Sequence, residues 1–311
     1  MPTKASCPPN SKGGFVLVTV LLIVTLLLSA AASFTWFARQ EVRRVSAEEF
    51  ALRARSLAMV ASEIVCGWIV DDDNEYDSAR ELLYAPQIPK ILGFGTWSVS
   101  VKIVPQDHLI PINSIFLPDG VTVRKEYEYA WKRAWELMGR TDLADLILDF
   151  LDRDTIAKAG SREEEYFVNR PISDLSELLR LPEVDAKLLY GSDESPLALD
   201  KFFTVYGGPG INVNLAPKII LSILDPELDE SKVDALIAYR QGEDLKSFAD
   251  LLKSPGFPSG IRARLESVLA YKSTFFLVEM KVQNGEGRER SFTMIVTRGD
   301  GKQGGIVSWR E

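Results

Sequence analysis

Residues Phe15 to Phe37, FVLVTVLLIVTLLLSAAASFTWF, run for 23 positions without a charged side chain. Coiled as a helix at about 1.5 Å per residue, that run reaches about 35 Å, enough to cross the hydrocarbon core of a bilayer. The helical pattern does not stop there. From Arg39 to Val70, apolar Phe50, Leu57, Val60, Ile64 and Trp68 recur at steps of seven, three, four and four, and no Pro or Gly intervenes before Gly67. Such spacing is one stripe of an amphipathic helix. The pattern predicts a single long helix, apolar all round in its first half and one-faced in its second.

Three origins fit this start. A secretory signal has a basic prefix, an apolar run and small-residue cleavage sites, here SAAAS at 29–33. A signal anchor keeps the run as a membrane span. A prepilin-type leader is cut on the cytoplasmic side, after Gly14, and leaves the apolar helix on the mature protein. Lys4 and Lys12 precede the span while Arg39, Arg43 and Arg44 follow it, so the positive-inside bias gives no orientation. A retained span explains why the helix continues past Ser33 without a cap.

Beyond the helix, DDDNEYD (71–77) and APQIPK (85–90) read as loop. TWSVSVKIV then alternates Trp97, Val99, Val101 and Ile103 with Ser98, Ser100 and Lys102, a strand with one buried face. Three more strands close the chain: FFLVEMKVQ with Phe276, Val278, Met280 and Val282 inward, SFTMIVTR with Phe292, Met294 and Val296 inward after an NGEG turn, and GIVSWR. Alternation of this kind suits an antiparallel sheet covered on one side, here by the amphipathic helix. The predicted fold class is α+β: a long, partly transmembrane N-terminal helix packed on a small antiparallel sheet, with a large all-helical insert between the first strand and the last three.

The insert reads as internally duplicated. IPINSI (110–115) answers INVNLA (211–216), LADLILDFLDRD (143–154) answers VDALIAYRQGED (233–244), and SDLSELLRLPEVDAKLL (173–189) answers SFADLLKSPGFPSGIRARL (247–265). Two copies are too few for a solenoid, so a pair of small helical modules is expected. The second resembles helix-hairpin-helix and sterile-alpha-motif-like units. In DNA-binding hairpins a Gly-rich turn offers backbone N–H groups to phosphate. The corresponding turn here, LDPELDESKV, carries Asp225, Glu227, Asp229 and Glu230 and no glycine. Phosphate is repelled.

Charge points the same way. The chain has 36 basic and 44 acidic side chains, a formal charge of −8, the wrong sign for a protein whose affinity rests on neutralising phosphates. Cys7 and Cys66 give neither a disulfide framework nor a zinc spacing. His108 is the sole histidine, without a nucleophile-elbow motif, and YGGPG (206–210) lacks the lysine of a phosphate-binding loop. DDDNEYD has Tyr76 where a helix–loop–helix calcium site needs Gly, and Leu82 where it needs Glu. Trp131 and Trp135, at helical spacing, are expected in the core. The sequence predicts no enzyme.

The leader carries a specific likeness. KGG followed by FVLVTVLL resembles the processing site of type IV pilins and pseudopilins, with a basic prefix, Gly14 before the cut and Phe15 as first mature residue. Most members have Glu at the fifth mature position, where this chain has Thr19. That departure is the habit of the minor pseudopilin K family of type II secretion systems (general secretion pathway protein K). A buried carboxylate in lipid is costly without a partner; a subunit with no neighbour above it needs none, so Thr19 suits a tip position. Alternatively, a threonine is tolerated in a membrane helix by bonding its own backbone. DFLDRD (149–154), GSREEEYF (160–167), NRPISDLSEL (169–178) and INVNLAP (211–217) follow in the family's order.

The resemblance implies a non-enzymatic minor pseudopilin at the tip of the secretion pseudopilus, helping to start its assembly. It implies cleavage between Gly14 and Phe15 by a prepilin peptidase with methylation of the new amine, a single-pass location in the inner membrane with the globular part in the periplasm, and the minor pseudopilins I and J as partners. Segments follow as a leader (1–14), a transmembrane helix (15–37), amphipathic helix and first strand (38–105), helical insert of two modules (106–272) and closing strands (273–311). Asp149, Asp152 and Asp154 with Glu163, Glu164 and Glu165 offer the oxygen ligands that calcium prefers, and members of the family bind calcium here; by position the ligands implied are Asp152, Asp154, Glu163 and Glu164. The chain departs from the family in having Glu164 where Asp is usual and no proline before Gly160. Two rivals stay open: an exported binding domain beginning near Ser33 after a conventional signal, and a competence-type helix-hairpin-helix protein that binds DNA.

Overall fold

A computed structural model describes residues 12–85, 90–193, 196–208, 210–299 and 304–311. Most of the leader (1–11), most of the APQIPK segment and Pro209 of the YGGPG turn lie outside the described residues. The chain divides into two compact units, Met1–Leu57 and Ala58–Glu311.

The first unit is helical throughout its described part. Helix α1 spans Lys12–Val70, 59 residues, and so continues into the second unit. Leu, Ala and other good helix formers fill it, and the absence of proline leaves its hydrogen-bond ladder intact. Its apolar window is exposed along its whole length, with Phe15 76%, Leu21 64% and Leu28 64% accessible. The helix is long and apolar enough to cross a membrane. Its C-terminal end meets Asp71, Asp72 and Asp73, with no basic residue in the last turn; negative charge there opposes the helix dipole and stops propagation.

The second unit begins with the last turns of α1. There the buried line is Ala58, Ala61, Val65 and Ile69, one position on from the expected Leu57, Val60, Ile64 and Trp68. Val60 is 46% exposed, and the other three sit half-buried on the flank. The correction has a simple cause. The small residues take the buried line and the larger ones its half-exposed margins, because alanine leaves a helix free to approach what covers it.

The sheet has five antiparallel strands in the order β1 (Lys90–Phe94), β2 (Trp97–Pro105), β3 (Phe275–Asn284), β4 (Glu289–Thr297) and β5 (Gly305–Arg310). Strand β1 has no counterpart in the sequence reading, which places only its first residue, Lys90, in the APQIPK loop, so the expected first strand is the second. It was hidden because a five-residue run broken by Gly93, with Ile91 70% exposed, has no apolar alternation to see. Gly95, at φ 67, makes the tight turn into β2. The other strands keep the expected inward residues, and register places Val101 opposite Met280 and Met280 opposite Phe292. All three are buried, as are Val99, Val278 and Val282.

Between β2 and β3 lies the insert. Its regular structure is mostly helical, set among long loops, with α2 (Lys125–Leu137), α3 (Ala144–Leu151), α4 (Lys218–Ile223) and α5 (Glu230–Gly242) as its longer elements. It also holds two short parallel strand pairs, Ile110–Pro111 with Phe203–Thr204 and Ile211–Asn212 with Leu269–Ala270, which an all-helical description omits. Trp131 and Trp135 are buried in the core as expected, clustered with Phe203 at ring separations of 5.1 and 5.9 Å.

One polar circuit occurs twice in the insert. Asn113 donates from Nδ2 to the Ile172 carbonyl (2.8 Å) and accepts at Oδ1 from the Ile172 N–H (2.9 Å). Asn214 does the same with Leu245, at 2.8 and 2.9 Å. Two residues further on, Asp174 and Ser247 cap the next helical turns, accepting from Ser176 N and Asp250 N. Glu177 and Asp250 then accept from the backbone N–H of Ser173 and Lys246. Each asparagine stands in for a missing backbone partner, tying an extended entry to the chain before a Leu-Leu turn.

Candidate functional site

The processing residues lie on α1, which runs without a break through Gly14 and Phe15. Thr19 Oγ1 donates to the Phe15 carbonyl at 2.6 Å. Thr25, Ser29 and Thr35 bond to Leu22, Thr25 and Ala31 carbonyls at 2.8–2.9 Å. Each of these hydroxyls is therefore satisfied inside its own helix, the condition for carrying it into hydrocarbon. Thr19 adds no charge and needs no neighbour.

Asp149 and Asp152, both buried, face the Lys158 ammonium, which bonds Asp149 Oδ1 at 2.9 Å and also Asp152. Burial raises the Asp152 carboxyl above its ordinary pKa, partly offset by the lysine. Asp154 turns back on its own loop, accepting from Ile156 N at 2.8 Å, and Glu164 faces Arg162 at 3.5 Å. Glu163 accepts from Asn169 Nδ2 at 3.0 Å, and Asn169 takes a left-handed φ of 46, which asparagine tolerates best among non-glycine residues. Among the described residues no three His, Cys, Asp or Glu side chains group as a metal site. Yet Asp152 Oδ1, Ser161 Oγ, Glu163 Oε2 and Asn169 Oδ1 are all buried without a partner. Oxygen donors of this kind suit calcium, so the donor chemistry at Asp152 and Glu163 fits the ion, and Ser161 and Asn169 carry two further unpartnered oxygens.

The hairpin-like turn of the second module holds no phosphate cradle. Asp225, 2% exposed, accepts the Arg264 fork at 2.5 and 3.0 Å and also binds Glu227 N. Asp229 caps α5 through Lys232 N at 3.0 Å. The turn's own carboxylates take amides that a phosphate would need. His108 is likewise structural: its Nδ1 lies 2.7 Å from the Pro105 carbonyl, and burial pushes its pKa down.

Two buried groups at the join of insert and sheet escaped sequence reasoning. Asp107, 2% exposed, accepts from Gly208 N (2.6 Å), Thr274 N (2.9 Å) and Phe275 N (3.0 Å). Arg298, 7% exposed, donates to the Ile69 carbonyl at the end of α1, to Ser273 O, and to both Asp77 oxygens at 3.0 and 2.9 Å. It also reaches Asp72 and Tyr84, and its guanidinium lies 4.8 Å from the Phe276 ring centroid. Burial, then the Asp77 charge, push the Tyr84 hydroxyl well above its ordinary pKa, so it stays a neutral donor to Asp72. DDDNEYD is thus more than a helix stop. A lone arginine just after an inward-facing strand was the one available signal.

Residues 211–271 match the family model described as type II secretion system (T2SS), protein K. The fold matches a chain of the crystal structure of the GspK-GspI-GspJ complex from the enterotoxigenic Escherichia coli Type 2 Secretion System, with TM-score 0.66 and 16% identity. The match covers 86% of this chain and 98% of that one. No curated protein matches the sequence. The family model bears out the resemblance to family K through residues 211–271, and the shared fold bears out the expected architecture.

Proposed function

We propose that this chain is a non-enzymatic minor pseudopilin of the K type, placed at the tip of a type II secretion pseudopilus and helping to start its assembly. A prepilin peptidase cuts between Gly14 and Phe15 and methylates the new amine. The helix from Phe15 holds the subunit in the inner membrane, with the rest in the periplasm, and packs beside the helices of the I and J minor pseudopilins. The single observation that carries this reading is the combination, in one chain, of a fully exposed apolar helix bearing an uncharged fifth residue with the K-family module at 211–271. An uncharged Thr19 suits a subunit with no neighbour stacked above it, since a carboxylate in lipid is costly without a partner. Co-purification tests it: full-length chain co-expressed with I- and J-type pseudopilins is retained with them through size exclusion in detergent. Elution of the chain alone would refute it.

Calcium belongs to the same proposal. The ion is held by Asp152 and Glu163 with Ser161 and Asn169, supported by their four unpartnered buried oxygens. Bound there, it supplies the positive charge that Lys158 does not bring to those atoms. Calorimetric titration of the full chain with calcium is expected to show one site lost in Glu163→Gln; silence in the parent chain would discard it.

A further inference from the structure

The walls of a cleft of about 240 Å³ at the outer end of α3 carry two arginines and no carboxylate, in a chain with a net charge of −8. Its walls are Phe116, Leu117 and Leu151 with prolines 118 and 171, and its cations are Arg124 and Arg153. Arg124 is held by hydrogen bonds and Arg153 by its backbone and by packing. Arg124 Nε is shared between the Ser114 and Phe116 carbonyls, each at 3.1 Å. Arg153 binds the Gly120 carbonyl through its backbone N–H at 3.0 Å, and its side chain lies across Gly120. A Cβ there would fall 2.4 Å from Arg153 Cδ, and Gly120 has a φ of 75. A side chain at 120 would be strained by that φ and would push the arginine aside.

The loop opposite is equally ordered. Leu117 N bonds Thr122 O at 2.7 Å, Gly120 N bonds Leu117 O at 2.9 Å, and Asp119 accepts from Val121 N and Thr122 N. Asp119 spends its oxygen on its own turn, whose hydrogen bonds hold its pKa below the ordinary value, with Arg153 adding only a lesser charge effect. Among the described residues the Arg153 guanidinium makes no hydrogen bond or ion pair. A planar donor fork with no acceptor, held over a small apolar cleft beside a second guanidinium, is arranged for a two-oxygen anion. Pre-ordering removes much of the entropy cost of binding one.

We propose that this cleft is a carboxylate-binding site, which takes the acidic side chain or terminal carboxylate of a peptide segment, gripped by Arg153 and Arg124 with its stem against Phe116 and Leu117. The volume admits one side chain. This inference stands apart from the pseudopilin reading and can hold if that reading fails.

The test is NMR of arginine Nε–H signals in the full chain in detergent, titrated with N-acetylglutamate amide and, separately, inorganic phosphate. The Arg153 and Arg124 signals are expected to move together and saturate near about 1 mM N-acetylglutamate amide, the range of a single small polar ligand. Arg153→Gln should weaken binding about tenfold. Gly120→Ala should do so too, by displacing Arg153. Arg133→Gln, at an exposed pair with Glu136, should change nothing. Overturning results are signals that stay still, an Arg153→Gln chain that binds as well as the parent, or phosphate binding as tightly as the carboxylate.

Discussion

Replacing Arg298 with methionine keeps most of the side-chain volume and removes the charge. In the folded chain Asp77 is fully buried and would lose both guanidinium bonds, at 3.0 and 2.9 Å, keeping only the Ser273 N–H as a donor to its carboxylate. Breaking a buried ion pair from one side costs about 3–5 kcal/mol, because the surviving charge stays desolvated. The carbonyls of Ile69 and Ser273 also lose a donor, so Arg298→Met should lie toward the upper end of that range. Making the partner neutral as well relieves most of the penalty: Arg298→Met with Asp77→Asn should be about 2 kcal/mol more stable than additivity allows. Urea unfolding of the full chain in mild detergent, followed by near-ultraviolet circular dichroism, measures both. A loss below about 1 kcal/mol for Arg298→Met, or strict additivity in the double variant, would refute the claim that this arginine locks the end of α1 to the sheet.

The repeated asparagine circuit makes a paired prediction. Asn214→Ala strands the buried N–H and carbonyl of Leu245 and should cost about 2–4 kcal/mol, and Asn113→Ala should fall in the same range through Ile172 and Val205; unfolding curves check both. The Asp174–Arg310 contact, at 2.5 Å, clasps the insert to edge strand β5. Burial raises the Asp174 pKa, but bonds from Ser176 and Arg310 outweigh it and leave the net value depressed. A depressed folded pKa gives stability that is present above the unfolded value of about 3.9 and lost as pH falls through the folded one. Asp174→Asn should therefore narrow its deficit only below about pH 4, and, with Arg310 largely exposed, the pair's own share is about 0.5–1 kcal/mol.

What was legible in the chain follows period. Strands β2 and β3 alternate strictly over nine or ten residues, and β4 keeps Phe292, Met294 and Val296 buried although Ile295 between them is buried too, so their inward faces could be named, and the apolar run of α1 needs only length. The facing of α1 on the sheet was misjudged by one position because hydrophobicity ranks Val60 and Ile64 above Ala58 and Ala61, whereas close packing prefers the smaller side chains. β1 is too short and too exposed to carry a period. Among the candidate ligands, Asp152 and Glu163 keep free oxygens, but the engagement of Asp154 with its own turn and of Glu164 with Arg162 depends on loop geometry that spacing does not encode. Lys158 and Arg298 neutralise acids six to more than two hundred positions away. No local pattern announces such pairs.

The mass of the mature chain recovered from membranes, with the sequence of its first residues, decides the central claim. Retention of α1 as a membrane-borne packing element predicts a product beginning at a methylated Phe15. A soluble product beginning near Ser33 would contradict it.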